Sequence, residues 1–284
     1  MKIMPFNQLF SKNLSFDNIY DSLKSTNYQK LSDVIQTEQF IYTNSGKEAI
    51  RMIIEYLNLT REDEVFITST TETSYVSTCV SATLFNYSKI SRVITEKTKV
   101  IYLIHNFGFP HKKLIEYRQL CDEKGIVLIE DCAFAFDSFD KDIRLGTIGD
   151  FTIYSIPKIL PLDYGGILRF KNKNLSNKLI STLPMESINS ISKWIIKLED
   201  MKLKRQKNYN FLERNINEKS IYGKIKNVNP FMFGIYTENF QDYYNSLQKY
   251  ELGQTHVKNE FHIPVNQFIE SDEYTDLIKK VNND

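Results

Sequence analysis

Three neighbouring segments decide the fold of this 284-residue chain, namely KVIYLIHNF (99–107), HKKLIEYRQLCDEK (111–124) and GIVLIED (125–131). The first and third segments are rich in β-branched and other apolar residues with polar residues at their ends, which predicts two strands. The middle segment has apolar or aromatic side chains at helical spacing, which predicts an amphipathic helix. Because the two strands of this βαβ unit are almost continuously apolar, we expect a parallel sheet covered by helices on both faces.

Further strands extend this unit in both directions. Upstream, EVFITS (64–69) has the same apolar character and predicts another strand. Downstream, FTIYSI (151–156) and GGILRF (165–170) each predict a strand, and a short loop joins them. We expect this pair to form a hairpin-like excursion at the edge of the sheet.

The C-terminal third predicts a linking helix and a smaller unit. Helical spacing of apolar residues runs from about 190 to 218, which suits a helix between two domains. The elements predicted after it are a strand at 231–238, a helix at 239–250 and a final helix near 271–281. We therefore expect an α/β fold with a large domain at 1–219 and a small C-terminal α/β domain at 220–284.

The composition is that of a globular protein and excludes several classes of partner. Hydrophobic residues make up 42% of the chain and charged residues 25%, which argues against disorder or a fibrous structure. The 36 Lys and Arg residues nearly balance the 35 Asp and Glu residues, so no overall basic field exists to hold nucleic acid or an anionic membrane. No apolar run is long enough for a membrane span, and the N-terminus lacks the pattern of a secretory signal.

The cysteine and histidine residues predict neither a disulfide framework nor a metal site. Three cysteines without CxxC spacing are expected to be reduced side chains of a cytoplasmic protein. The four histidines do not have metal-ligand spacing with each other or with the cysteines, so we expect no metal. His105 ends a strand near the site described below, where it has either a structural hydrogen-bonding role or a catalytic one.

The first chemically informative segment is IYTNSGKEAIRMIIEYL (41–57), in which a short strand passes through the turn Asn44–Gly46 into a helix. A helix start presents free backbone N–H groups to an anion. The nucleotide-binding P-loop is excluded, because Ile41 stands where that motif needs glycine and Glu48 where it needs Ser or Thr. A phosphate-binding helix start and an ordinary cap by the asparagine or serine of the turn both stay open.

Two further segments place ionisable side chains beside predicted strands. VLIEDCAFAFDS (127–138) brings Glu130 and Asp131 to the carboxyl end of a strand, where open α/β sheets bind ligands. Side chains alternate along a strand, so only one of the two carboxylates is expected to face a cleft. Ser155 and Lys158 lie in the loop region between the next two strands. Taken singly, the alternatives are an acidic loop start and a solvated surface lysine.

In combination these segments supply the parts of a pyridoxal-phosphate site. The helix start could hold a phosphate, and the aspartate at a strand end could pair with a pyridine nitrogen. A loop lysine with a nearby hydroxyl could bond an aldehyde carbon.

With these motifs in one order, the chain resembles the DegT/DnrJ-type nucleotide-sugar aminotransferases. These are pyridoxal-phosphate enzymes of fold type I, with the aspartate-aminotransferase-like fold. The resemblance covers about 38 to 172 and, more loosely, the chain from 200 onward. The motifs that carry it are Ser45-Gly46-Lys47, Ser74-Tyr75-Val76-Ser77-Thr78, TKVIYLIHNFG (98–108), VLIEDCAFA (127–135) and GDFTIYSIPKILPLDYGG (149–166).

The resemblance implies a role for each matched residue. Lys158 would bind pyridoxal phosphate covalently and act as the general base, and Asp131 would keep the pyridine nitrogen protonated. Tyr75 would stack on the ring. The residues that would bind the phosphate are Ser45, Gly46, Lys47 and Ser155.

The chain is a shortened member of this family. The lysine loop is shorter on both sides of Lys158, and a stretch that the family normally has is missing between Thr78 and Thr98. Phe134 stands where the family has a polar residue near the ring hydroxyl, and Lys47 where it has a small hydroxyl residue. The chain also lacks the Asn-Tyr-Arg motif with which a neighbouring subunit reaches the phosphate.

The implied function is transfer of an amino group from an amino acid to a nucleotide-linked keto sugar. Glutamate is the expected donor. The context would be the biosynthesis of surface polysaccharides or related amino sugars. One alternative is a pyridoxal-phosphate-dependent sugar dehydratase or lyase, although such relatives lack the lysine that Lys158 matches. Another is a non-catalytic relative that binds a ligand or partner, and Phe134 and the shortened loops keep this alternative open. Enzymes of this fold generally pair, so we expect a homodimer.

Overall fold

Eleven strands are found in the residues that the computed structural model describes, which are 30–71, 76–238 and 259–282. In chain order they are β1 (Phe40–Thr43), β2 (Glu64–Ser69), β3 (Lys89–Ser91), β4 (Thr98–Ile104), β5 (Val127–Asp131), β6 (Phe139–Asp140), β7 (Ile143–Arg144), β8 (Phe151–Ser155), β9 (Gly166–Phe170), β10 (Met232–Tyr236) and β11 (Glu260–Pro264). Seven of them form one sheet in the order β1-β9-β8-β5-β4-β2-β3. All strands of this sheet run in the same direction except β9, which is antiparallel to both neighbours.

Helices cover both faces of the sheet. In chain order they are α1 (Leu31–Ile35), α2 (Gly46–Tyr56), α3 (Thr78–Phe85), α4 (Leu114–Lys124), α5 (Ile156–Ile159), α6 (Met185–Ile195), α7 (Leu198–Asn215) and α8 (Thr275–Asn282). Apolar side chains of α1, α4 and α6 form the core on one face, and those of α2 and α3 form the core on the other. The predicted α/β architecture, with a mostly parallel sheet between helices, is confirmed.

Burial on both faces of the sheet explains why apolar residues follow one another in the central strands without alternating with polar ones. All six residues of β2 are buried, and in β4 only Lys99 is exposed. The connection from α4 to β5 depends on Gly125, which has a φ of +66° and donates its N–H to the Cys121 carbonyl. Glycine adopts this left-handed conformation without steric cost, so the helix ends there and the chain turns back into the sheet.

Several predicted elements differ from the structure in position. The hairpin of β8 and β9 exists, but β1 pairs with β9 and forms the edge of the sheet. The linking helix is two helices, because Lys197, at φ −106° and ψ 0°, interrupts the helical backbone. The strand expected at 99–107 ends at Ile104, and a 3-10 turn follows at Asn106–Gly108. The helix expected at 239–250 lies outside the described residues.

A second core forms at the C-terminal end of the chain. The antiparallel pair β10 and β11 packs with α8, as expected for a small α/β unit. Tyr209 and Leu212 of α7 belong to the same core, as do Phe107 and Phe109 from the turn after β4. This core is therefore built partly by the larger unit, and the domain boundary between 219 and 220 stays a prediction. Among the described helices, none has the length and hydropathy that a bilayer crossing needs.

Candidate active site

A cleft of about 170 Å³ opens at the edge of the sheet where β4, β5 and β8 end. Carboxyl ends of strands are the usual ligand-binding edge of such a sheet. Seven residues were predicted to form the site, and Tyr75 lies outside the described residues. The other six all line the cleft, namely Ser45, Gly46, Lys47, Asp131, Ser155 and Lys158. Tertiary structure thus brings together residues that are as much as 113 positions apart.

The turn between β1 and α2 forms one wall of the cleft. Ser45, not Asn44, caps the helix, and its hydroxyl accepts the Glu48 N–H at 3.2 Å. Within the described residues, the N–H groups of Gly46 and Lys47 have no protein acceptor, so they are free to bind an anion. The helix dipole favours a negative charge at the same place.

Two neighbouring strands bring their ends against this helix start. A Cβ atom at Gly46 would lie 3.7 Å from the Ser155 Cβ, which places the serine beside the helix start. A Cβ atom at Gly166 would lie 2.6 Å from the Ser45 carbonyl carbon, a distance that would force the backbones apart. Glycine at the start of β9 therefore allows the close approach that shapes this wall.

Glu130 and Asp131 turn to opposite sides of β5, as strand alternation predicts. Asp131 lines the cleft, and Glu130 does not. The Asp131 carboxylate is buried, with one oxygen accepting the Tyr102 hydroxyl at 2.7 Å and the other accepting the Ala133 N–H at 2.9 Å. Burial raises the pKa of Asp131 above its ordinary value, although these two hydrogen bonds oppose the rise.

Lys158 reaches the same cleft from α5. Burial lowers the pKa of its ammonium group, and the nearby Cys79 and Asp131 only partly oppose this effect. The Nζ atom lies 4.8 Å from the centroid of the Phe134 ring. A lysine with a lowered pKa has a larger fraction of neutral amine, which is the form that attacks a carbonyl carbon and accepts a proton.

Glu130 points to the opposite face of the sheet and binds the loop that precedes β8. Its carboxylate accepts the N–H groups of Gly146, Ile148 and Gly149 at 2.9, 2.8 and 2.5 Å. It also accepts a hydrogen bond from His105 Nε2 at 3.0 Å. His105 Nδ1 in turn accepts a backbone N–H, so the ring of a neutral His105 carries its proton on Nε2. These contacts support the structural interpretation of His105.

The same histidine belongs to a group that sequence spacing did not reveal. In the described part of the chain, His105, Glu130 and Cys132 place possible metal-ligand atoms within 4.8 Å of one another. All three residues are buried, and both oxygens of the Glu130 carboxylate already accept hydrogen bonds. The group therefore has the character of a hydrogen-bonded support for β5.

We expect Glu130→Gln to lower the free energy of unfolding by about 3 kcal/mol at neutral pH, because an amide cannot accept all of these donors. The pKa of Glu130 lies below its ordinary value, since His105 and the backbone N–H groups outweigh the effect of burial. The stabilisation by a carboxylate with a lowered pKa is lost as the pH falls. The difference in free energy of unfolding between the wild type and the variant should therefore shrink below pH 4.5.

Urea unfolding of the two proteins at several pH values measures this deficit. Glu116→Gln is the matched control, because this carboxylate is exposed on α4 and the change should cost less than about 0.5 kcal/mol. Equal stabilities of the Glu130→Gln variant and the wild type at neutral pH would contradict the role assigned to the network.

Sequence reasoning missed the residue behind Asp131. Tyr102 pairs with Ile129 in the parallel register of β4 and β5, so it lies diagonally from Asp131 on the same face of the sheet. Alternation of side chains along the two strands could have suggested that Tyr102 and Asp131 share a face. The register between β4 and β5 was needed to establish the contact. Several apolar side chains that line the cleft, among them Ile50, Ile104 and Ile153, were also not predicted as part of the site.

Solved structures with the same fold cover almost the whole chain. A DegT/DnrJ/EryC1/StrS aminotransferase from Brucella abortus matches with a TM-score of 0.75 and 13% identity, over 99% of this chain and 100% of that one. A Streptococcus pneumoniae protein solved in its PLP form matches with a TM-score of 0.72 and 15% identity, over 94% of this chain and 93% of that one. These likenesses confirm the aspartate-aminotransferase-like fold that the motifs predicted.

Sequence comparison identifies the family. GDP-perosamine synthase from Vibrio cholerae is 27% identical over 139 residues, which are 44% of this chain and 38% of that protein. The chain thus spans less than half the length of this relative. The model of the DegT/DnrJ/EryC1/StrS aminotransferase family matches residues 27–189. Since this match covers more than half of the 284 residues, the chain belongs to the DegT/DnrJ/EryC1/StrS aminotransferase family.

Proposed function

We propose that this protein is a pyridoxal-phosphate-dependent aminotransferase that acts on a keto sugar linked to a nucleotide. The amino group would come from an amino acid, and glutamate is the donor that we propose. The product would enter the biosynthesis of surface polysaccharides or related amino sugars. The observation that carries the proposal is that Lys158 and Asp131 share one cleft with the anion-binding start of α2.

The residues of the cleft fit pyridoxal phosphate. The N–H groups of Gly46 and Lys47, the Lys47 ammonium group and the Ser155 hydroxyl suit its phosphate. Asp131 is a buried carboxylate at the cleft, and a protonated pyridine nitrogen would compensate its charge. Lys158 offers a half-buried amine with a lowered pKa, which suits the aldehyde carbon of pyridoxal phosphate.

The two central side chains have complementary tasks. When bound, pyridoxal phosphate supplies an aldehyde that bonds an amine and a ring that withdraws electrons. Asp131 holds the proton on the ring nitrogen, and its hydrogen bonds to Tyr102 and Ala133 keep the carboxylate oriented. Lys158, as a neutral amine, would remove the proton from the Cα atom of the amino donor and deliver it to the carbon that comes from the aldehyde of pyridoxal phosphate.

Family membership and the relative from Vibrio cholerae support the substrate class. GDP-perosamine synthase is named for a nucleotide-linked amino sugar. The presence of Lys158 in the cleft favours an aminotransferase over the dehydratase alternative, whose members lack this lysine. The cytoplasmic location expected from the cysteines, and the separation into domains at 219 and 220, stay predictions.

The function is tested in two half-reactions with purified protein. Pyridoxal phosphate should give the protein a visible absorption band, and glutamate should bleach it while 2-oxoglutarate forms. A nucleotide-linked keto sugar should then restore the band and gain an amino group, as detected by mass spectrometry. A protein that stays colourless with pyridoxal phosphate would support the non-catalytic alternative, and loss of water from the sugar without amination would support the dehydratase.

We also expect a homodimer with the cleft near the subunit interface. The large domain has shortened loops, and a neighbouring subunit is the simplest cover that would exclude water from the cleft. Twofold dimers are the commonest soluble oligomers. Light scattering at micromolar concentration should give twice the mass of one chain. A monomer that retains bound pyridoxal phosphate and full activity would contradict this prediction.

A further inference from the structure

The contact between Tyr102 and Asp131 suggests a role beyond packing. Tyr102 lies in the middle of β4 with no exposed surface, and its hydroxyl donates to an Asp131 carboxylate oxygen at 2.7 Å. We infer that Tyr102 is a positioning residue for the proposed reaction, keeping the Asp131 carboxylate charged and aimed at a cationic ring nitrogen in the cleft. This inference rests on the proposed function.

Asp131 depends on this contact because it has few other partners. Within the described residues, the hydrogen bonds of its carboxylate are those from the Tyr102 hydroxyl and the Ala133 N–H. The second partner is a backbone group two residues away, and it would stay in place if Tyr102 changed. Tyr102 thus provides the side-chain hydrogen bond that a single substitution can remove.

The charge of Asp131 is opposed by its surroundings. Burial raises the pKa of this carboxyl group, and the Tyr102 hydrogen bond is the largest of the effects that lower it. His105 and Lys158 act in the same direction from neighbouring elements. Without the Tyr102 hydroxyl the pKa of Asp131 would rise further, so a larger fraction of the group would be the neutral acid at any given pH.

Tyr102 does not touch the space that the ligand would occupy. It belongs to the core between the sheet and α2, and the cleft is lined by Asp131 in front of it. A Tyr102→Phe change keeps the ring in this core and removes one hydroxyl. The change should therefore affect ligand affinity only by way of Asp131, and the effect should depend on whether the ligand has a ring nitrogen.

The test compares two ligands in wild-type protein and in the Tyr102→Phe variant. One ligand is pyridoxal phosphate, and the other is its deaza analogue, in which carbon replaces the ring nitrogen. Titration at pH 7 gives the dissociation constant of each ligand. We expect wild-type protein to prefer pyridoxal phosphate. The variant should lose about tenfold of this preference, because its Asp131 carboxylate no longer accepts the hydrogen bond that orients it.

Tyr154→Phe is the matched control. Tyr154 is a buried tyrosine of β8, the strand on the other side of β5 from β4, but it packs in the core on the opposite face of the sheet. Its hydroxyl has the Leu145 carbonyl as partner at 3.5 Å, and it does not contact Asp131. The control should lose stability like any buried tyrosine variant and keep the ligand preference of the wild type.

The outcomes separate this inference from the proposed function. Wild-type protein that binds neither ligand would contradict the proposed function. Wild-type protein with the expected preference, together with a Tyr102→Phe variant that keeps it or weakens both ligands equally, would overturn the role of Tyr102. Should the variant fail to fold, 3-fluorotyrosine at position 102 provides the second test. Its more acidic hydroxyl should increase the preference, and an unchanged preference would overturn the inference.

Discussion

Lys158→Ala is expected to abolish the borohydride-reducible link between the protein and pyridoxal phosphate. Such a link needs a lysine amine within reach of the aldehyde carbon, and Lys158 lies in the cleft beside Asp131 with a lowered pKa. Transamination should fall to background in the same variant, because the proposed general base is lost with the amine. Reduction with borohydride followed by peptide mass spectrometry measures the link directly.

Lys47→Ala is the control for this experiment. Lys47 also lines the cleft, but it is exposed at the start of α2, beside the proposed phosphate site. Its variant should bind pyridoxal phosphate more weakly and still be labelled at Lys158. Labelling of another lysine in the Lys158→Ala variant would show that the lysine loop was aligned to the family in the wrong register.

Asp131→Asn is expected to leave pyridoxal phosphate bound while transamination slows by on the order of 10²–10³-fold. The amide has almost the same shape as the carboxylate, so the cleft and the Lys158 link should persist. A neutral amide cannot hold a proton on the pyridine nitrogen, and the electrons released at Cα lose their acceptor. Single-turnover bleaching by glutamate separates this chemical step from binding.

Asp163→Asn makes the same chemical change nearby without touching the cleft. Asp163 is exposed in the loop between α5 and β9, and its variant should bleach at the wild-type rate. If Asp131→Asn also retains near-normal turnover, Asp131 has no part in the reaction. If it loses pyridoxal phosphate altogether, its role is binding and not activation of the ring.

The sequence predicted the elements of the site because their local signals are strong. The apolar residues of β2, β4 and β5 are mostly buried in a parallel sheet, and that burial is why apolar side chains follow one another there without alternation. Alternation along β5 predicted that one carboxylate of its last two residues would face a cleft. Neither signal depends on distant parts of the chain, so both could be recognised before the fold was known.

Other features could be decided only by the tertiary structure, because they depend on contacts between distant segments. Asn44 and Ser45 are equivalent candidates for a helix cap in sequence, and the backbone geometry selects Ser45. The position of β9 inside the sheet depends on β1, which lies more than 120 residues earlier in the chain.

The electrostatics of the site show the same division. By itself the sequence determined the fold class and the family motifs, and it predicted Asp131 and Lys158 as site residues. Tertiary structure decided that these two lie in one cleft, that burial shifts both pKa values, and that Tyr102 is the partner of Asp131. A pKa shift and a hydrogen bond between strands arise from desolvation and register, which exist only once the chain has folded.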